Sequence, residues 1–196
     1  LYMFFSEATA AAVGSVVVRE NLVRKIQFPR LVIPLSMVLT TYLNLLLNFA
    51  AVVVFMLASG VSVKLSWLQI IPLVMFLGAF VTGLAMLLSA LFVRYRDVRP
   101  IWDVMIPVTF YATPILYPIE LVADQHPRAA HVMMANPLAI VVQQVRHALI
   151  DPGAPSAAQA IGGGTRLLIP LGIVVAACVI GFLVFDREAP RIAEEL

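Results

Sequence analysis

Three histidines, one cysteine and eleven carboxylates are the metal ligands, nucleophiles and acid–base groups that this 196-residue chain offers beyond its hydroxyls. His126, His131 and His147 share no metal-ligand spacing with one another or with acids, so they read as surface residues. Cys178 lies inside an apolar run, which leaves no intrachain disulfide and no cysteine-based zinc site; packing is its expected role. No G-x-x-x-x-G-K-[ST] loop occurs, and Gly162-Gly163-Gly164-Thr165 lacks the lysine that such a loop turns on phosphates. H-E-x-x-H, G-x-S-x-G and paired carboxylates within apolar runs are absent as well, so nothing nominates a nucleophile and its base. If the protein does energised work, the energy comes from another polypeptide.

Charge is concentrated instead in two short basic segments. The first runs Glu20-Asn21-Leu22-Val23-Arg24-Lys25-Ile26-Gln27-Phe28-Pro29-Arg30 between two long hydrophobic runs. As a helix from Asn21 it sets Leu22 and Ile26 on one side with Val23 beside them, turns Arg24 and Lys25 elsewhere, and stops at Pro29. Two readings fit: a surface helix that docks a soluble partner at a membrane boundary, or a cationic loop that fixes topology. The second segment is Arg94-Tyr95-Arg96-Asp97-Val98-Arg99-Pro100. Glu7 stands apart, inside the first apolar run. A carboxylate there is a functional candidate unless it sits near an interface and is solvated.

The elements that must position these residues are membrane helices. Hydrophobic residues make up 62% of the chain against 12% charged, and mean hydropathy is +0.98, which places it outside soluble domains. The net charge of +2 sits between apolar runs, where it serves orientation, and gives no case for nucleic acid. Apolar runs predict spans over about 2–18, 33–58, 67–93, 101–117 and 167–185 in a single transmembrane domain, residues 1–196. Pro34 marks a helix start; Trp67 suits an interfacial anchor. Pro107, Pro114 and Pro118 interrupt the fourth run, so a broken or bent helix is expected there. In the second run Thr41, Asn44, Asn48 and Phe55 form a polar and aromatic stripe, open to two uses: lining a substrate path or bonding another helix. Gly78, Thr82, Ala85 and Ser89 form a small-residue stripe that lets a helix approach closely.

Residues 120–165 are too long for a simple connector. Asn136-Pro137 reads as an N-cap followed by proline at the first helical position, and Asp151-Pro152-Gly153 ends the helix it starts. That helix is too short to cross a bilayer and reads as re-entrant or interfacial, part of a region over about 118–150. Nine Lys and Arg residues fall on one side of the predicted spans and four on the other, which puts the first side, with the C-terminal tail, in the cytoplasm. The chain starts at Leu1 within apolar sequence and reads as the cut edge of a longer protein.

Asn21-Leu22-Val23-Arg24-Lys25 with Phe28-Pro29-Arg30, then Arg94-Tyr95-Arg96-Asp97-Val98, then Ala112-Thr113-Pro114-Ile115-Leu116-Tyr117-Pro118 and Asn136-Pro137 follow one another in a telling order. Together they resemble the permease subunit of type-2 ABC exporters, in the branch that exports O-antigen, teichoic acid and other cell-surface polysaccharides. The resemblance implies an all-α, six-span permease fold, here N-terminally truncated to about five spans plus re-entrant helices. It also implies a homodimer in the bacterial cytoplasmic membrane, with ATP and Mg bound by a separate ATP-binding subunit and no ATPase site or cofactor in this chain. On that resemblance Glu20, Asn21, Leu22, Val23, Arg24, Lys25, Phe28, Pro29 and Arg30 belong to a coupling helix of about residues 20–29, seated on the ATPase. Arg94, Tyr95, Arg96 and Asp97 become a cytoplasmic entrance. Pro114, Tyr117, Pro118, Asn136 and Pro137 belong to an outer re-entrant region. Tyr42, Asn44, Asn48, Phe49, Phe110 and Tyr111 are the candidates for lining the path of a lipid-linked glycan, with the aromatic rings stacking on sugars. The alternatives are a drug or lipid exporter of the same superfamily, a membrane-embedded lipid-modifying enzyme, or a passive scaffold.

Overall fold

The structure, a computed structural model, describes residues 1–18, 31–60 and 64–195. Every regular element among them is helical. Helices α1 (Tyr2–Val13) and α2 (Ser15–Val18) are separated at Gly14. They are followed by α3 (Val32–Ala58), a 3-10 turn (Leu65–Gln69) leading into α4 (Ile70–Arg94), and α5 (Val98–Ala112). A helical connector comes next: α6 (Ile119–Gln125), α7 (Pro127–Met134), α8 (Pro137–Val145), a π-helical turn (Arg146–Ile150), α9 (Ala157–Ala160) and a second 3-10 turn (Gly164–Leu167). The last helix is α10 (Leu168–Glu195).

Proline sets where the long helices begin. Pro34, Pro72, Pro100 and Pro170 each occupy the third residue of α3, α4, α5 and α10. The first turn of a helix has no intrahelical partner for its N–H groups, so a residue without one costs nothing there and fixes φ in advance. Pro107 differs, lying inside α5. The sequence predicts a broken or bent segment over about 101–117; the observed helix starts at Val98, takes in Asp103 and Pro107, and ends at Ala112 before Thr113-Pro114. A residue preceding proline is driven out of the α region, which accounts for the stop at Thr113 better than Pro107 does.

Three helices among the described residues are long and apolar enough to cross a membrane: Val32–Ala58, Leu65–Arg94 and Gly164–Glu188. Only 6% of the most apolar window of Val32–Ala58 is buried, and Leu39, Leu43, Leu47, Val54 and Phe55 stand exposed along it. Such an apolar surface is stable in hydrocarbon and a liability in water.

The chain divides into two compact units. One contains Leu1, Leu46–Leu77 and Pro107–Val174, the other Tyr2–Leu45, Gly78–Ile106 and Val175–Leu196. In the first, Ile119, Ala130, Met134, Ala139, Ile140, Ala157 and Ile161 close a small core beneath the connector. In the second, Val16, Ile33, Met86, Ala90, Val93 and Phe185 pack together. An aromatic cluster joins them there: Phe5 stacks on Phe80 at 6.1 Å and lies 6.2 Å from Trp102, while Phe4 meets Tyr42 edge-on at 5.6 Å. Two hydrogen bonds tie α1 to α5, from Tyr2 Oη to the Ile106 carbonyl at 2.8 Å and from Trp102 Nε1 to Thr9 Oγ1 at 3.0 Å.

Buried hydroxyls in this unit are satisfied by carbonyls three or four residues before them. Thr9 bonds the Phe5 carbonyl at 2.7 Å, Ser15 that of Ala12 at 2.8 Å, and Ser89 that of Met86 at 3.0 Å. An unmatched hydroxyl in an apolar interior costs a few kcal/mol, roughly, and these bonds remove that penalty.

Helices α4 and α10 approach closely. A Cβ placed on Gly83 would lie 2.6 Å from the Ala177 backbone, and one on Gly181 would run into the Gly83 carbonyl. Cys178, half-buried here, adds a bond from Sγ to the Ala79 carbonyl at 3.2 Å. The contact is thus made by Ala79 and Gly83 against Ala177 and Gly181, two small-x-x-x-small pairs. The predicted stripe lies on another face of α4: Gly78 receives the Tyr42 ring, with 3.0 Å left for a Cβ, while Ala85 and Ser89 are buried. Gly181→Ala should therefore force backbone apart and destabilise by about 1–3 kcal/mol. Gly172→Ala, with nothing within 4 Å of its added Cβ, serves as the control. Thermal unfolding of both variants in detergent checks this: equal midpoints would mean that the crossing does not depend on the missing methyl.

Candidate functional site

The proposed coupling residues, 20–30, lie outside the described residues. The second basic segment is described. Arg94 ends α4, and the turn over residues 95–97 is closed by bonds from Tyr95 N to the Leu91 carbonyl at 2.8 Å and from Val98 N to the Tyr95 carbonyl at 3.2 Å. The Asp97 carbonyl then accepts from Ile101 N at 3.1 Å and starts α5. Two of the segment's three arginines are braced by rings: the Arg94 guanidinium lies 5.2 Å from the Tyr95 ring centre and that of Arg96 5.1 Å from Phe92. Residues 94–97 are all exposed, so the turn presents two oriented cations and one carboxylate on a short loop.

The six path candidates fall in different surroundings. Tyr42 is half-buried, filling the space between Phe4 and Gly78. Asn44 and Asn48 are on the exposed side of α3, with Phe49 half-buried beside them. At the end of α5, the Phe110 and Tyr111 rings meet edge-on at 5.5 Å, and Tyr111 is largely exposed. Of the predicted stripe, Thr41 spends its hydroxyl on its own helix, bonding the Val38 carbonyl at 2.9 Å.

The motifs around Pro114 and Asn136 are brought together. Thr113, fully buried, donates to the Thr109 carbonyl at 2.8 Å and accepts from Asn136 Nδ2 at 3.3 Å. Asn136 also caps α8, its Oδ1 accepting from Leu138 N at 3.0 Å ahead of Pro137. Tyr117 reaches back to the Tyr111 carbonyl at 2.7 Å, and Pro118, in extended backbone, starts α6. One asparagine thus serves as both a helix cap and a tie to the end of α5. Thr113 belongs to the same group and was not singled out among the site residues; its threonine-before-proline setting gives no hint of the partner it meets in space.

The connector carries a second set of polar contacts that spacing alone does not announce. Arg146 pairs with Glu120 at 3.1 Å. His131 and His147, expected as surface residues, are half-buried and bonded. Arg166 Nη1 stands 2.9 Å from His131 Nδ1 and can only donate, so that nitrogen accepts. His147 Nδ1 is 2.7 Å from the Ala154 carbonyl, which can only accept, so this ring donates. Gly162 and Gly163 make the adjoining turn at φ 87° and 133°, and a side chain on Gly162 would collide with both Arg166 and His131. No group of histidines, cysteines and acids that could hold a metal occurs among the described residues.

Comparison with known proteins agrees with the helical pattern. Residues 1–150 match the family described as ABC-2 type transporter. Among curated proteins, the chain is 28% identical to an O-antigen export system permease protein RfbA of Klebsiella pneumoniae, over all of this chain and 71% of that protein. A second Klebsiella pneumoniae protein of that name is 28% identical over 76% of this chain and 57% of its own length. One from Myxococcus xanthus is 26% identical over 80% of this chain and 60% of its own length. The chain therefore spans between about half and three-quarters of the relatives it matches. A family match over three-quarters of a chain made of apolar helices leaves one assignment: the protein is a multi-pass membrane protein of the ABC-2 type transporter family.

Proposed function

We propose that this chain is the permease subunit of an exporter that moves a lipid-linked cell-surface polysaccharide of the O-antigen kind across the cytoplasmic membrane, driven by ATP hydrolysis in a separate subunit. The observation that carries this reading is the similarity, over the chain's whole length, to a protein named as an O-antigen export permease. Two copies form the path. Residues 20–29 seat in the ATPase, and closure of the ATPase on nucleotide pushes the two coupling segments together. The Arg94–Asp97 turn borders the cytoplasmic entrance, where ring-braced guanidinium groups suit an anionic linkage or headgroup. Phe110 and Tyr111 offer ring faces on which sugars stack and slide, since stacking holds a polymer without fixing its register. Residues 118–150 close the outer side, and the C-terminal tail lies in the cytoplasm.

Two measurements test this reading. Full-length protein purified in mild detergent should bring down its ATP-binding subunit, and a variant with Arg24→Glu and Lys25→Glu should lose it while keeping its thermal midpoint. An intact complex with the charges reversed would remove residues 20–29 from the coupling role. In cells, loss of the permease should trap lipid-linked glycan on the cytoplasmic side of the membrane. Normal surface glycan together with a new sensitivity to a toxic compound would transfer the protein to drug export.

A further inference from the structure

The amide of Gln144, on α8, is used at both ends. Its Oε1 accepts from the Ala157 backbone N–H at 2.9 Å and its Nε2 donates to Gln69 Oε1 at 2.8 Å. The orientation is forced: a backbone N–H can only donate, so oxygen must face Ala157, which leaves the NH2 group for Gln69. Position 69 therefore acts only as an acceptor and position 144 must donate. One helical turn on, the Ala148 carbonyl accepts from Ser66 Oγ at 2.9 Å. Ser66 and Gln69 both belong to the 3-10 turn that opens α4. The neighbouring face of the same helix grips the loop beyond it, with Gln143 Nε2 on the Pro155 carbonyl and His147 Nδ1 on that of Ala154, each at 2.7 Å. Gln143 is buried at 1% exposure, so its contact is protected from water, whereas the Gln144–Gln69 bond lies at the surface.

We propose that the helical connector and the first turn of α4 form one rigid body, and that Gln144 is the positioning residue that latches them. Four side chains, Gln143, Gln144, His147 and Ser66, hold α8 and its π-helical turn to the 65–69 turn, distant in sequence, and to the adjoining loop over 154–157, and Gln144 alone touches both. Any rearrangement of the connector then carries the 65–69 turn with it. This inference concerns the chain's own mechanics and stands whatever is transported.

The test uses full-length protein in lipid nanodiscs, with every native cysteine including Cys178 replaced by serine and nitroxide labels at Leu68→Cys and Val132→Cys, two exposed positions on either side of the latch, the labelled chains being diluted with excess unlabelled chains so that distances within one chain are read. Pulsed EPR should give a single narrow distance. Gln69→Glu keeps the acceptor and should leave the peak unchanged. Gln69→Leu should lose the narrow peak because it removes the acceptor, and Gln144→Glu combined with Gln69→Glu should lose it because two acceptors then face each other, whereas Gln144→Glu alone leaves a Gln69 amide able to rotate and donate. If the double variant lowers the yield of folded protein, Gln69→Leu decides alone, since it leaves the Ala157 contact in place. A peak that survives Gln69→Leu, or is lost equally in Gln69→Glu, would overturn the latch, because packing without hydrogen-bond direction would not separate these variants. A broad distribution in the parent protein would overturn the rigid body itself.

Discussion

A membrane helix has to satisfy its backbone within itself, and that constraint fixes most of what is seen here. Hydrocarbon offers no donor or acceptor, so a chain with 62% hydrophobic residues can cross it only as helices, and a residue without an N–H is cheap only in a first turn. Four long helices obey this with proline as their third residue. The same constraint governs side chains. Thr9, Ser15 and Ser89 are buried and each returns its hydroxyl to a carbonyl three or four residues earlier, while Thr9 also accepts from Trp102 of α5. Packing between helices can then be left to shape, and it tightens where side chains are missing, at Gly83 against Gly181.

What the sequence made legible follows from the range of the interactions involved. Hydropathy and proline act within a few residues, so the existence of the long helices could be read directly. Their ends were harder. Of the three prolines expected to break or bend the fourth run, Pro107 lies inside α5, and the helix ends at Ala112 ahead of Pro114 and Pro118. Small residues were correctly taken to mark close approach, but on α4 two such stripes coexist. Gly78 takes the Tyr42 ring, and Ala79 with Gly83 takes a helix backbone. The second signal was present as matched small-x-x-x-small pairs in α4 and α10, and it becomes decisive only once the two helices are set side by side.

Polar contacts within the connector were the least legible. Asn136 could be read as a cap because its partner is two residues away, whereas its bond to Thr113 depends on how α5 and α8 meet. Gln143 and Gln144 carry no motif at all; adjacent residues on a helix point to different faces, and so they serve different partners. The histidines teach the same point. With no metal spacing they read as surface residues, as His126 is, yet in space His131 accepts from an arginine and His147 donates to a carbonyl. A polar side chain outside any catalytic pattern can still have a structural task.

Those tasks bear on how a member of this family can work. A permease that performs no chemistry of its own must convert a push at one place into a change of shape at another, and that requires segments that do not bend next to segments that do. The connector has the properties of the first kind: a small apolar core over Ile119, Met134 and Ile140, a salt bridge between Arg146 and Glu120, and side chains that each hold a distant stretch of chain. Residues 113–118, which join it to α5, are non-helical and contain two prolines. The bond from Ile115 N to the Thr113 carbonyl at 2.7 Å and the side-chain bonds of Thr113 and Tyr117 tie this stretch down along its length. On the proposed latch, a displacement that reaches the connector carries the 65–69 turn with it as one piece.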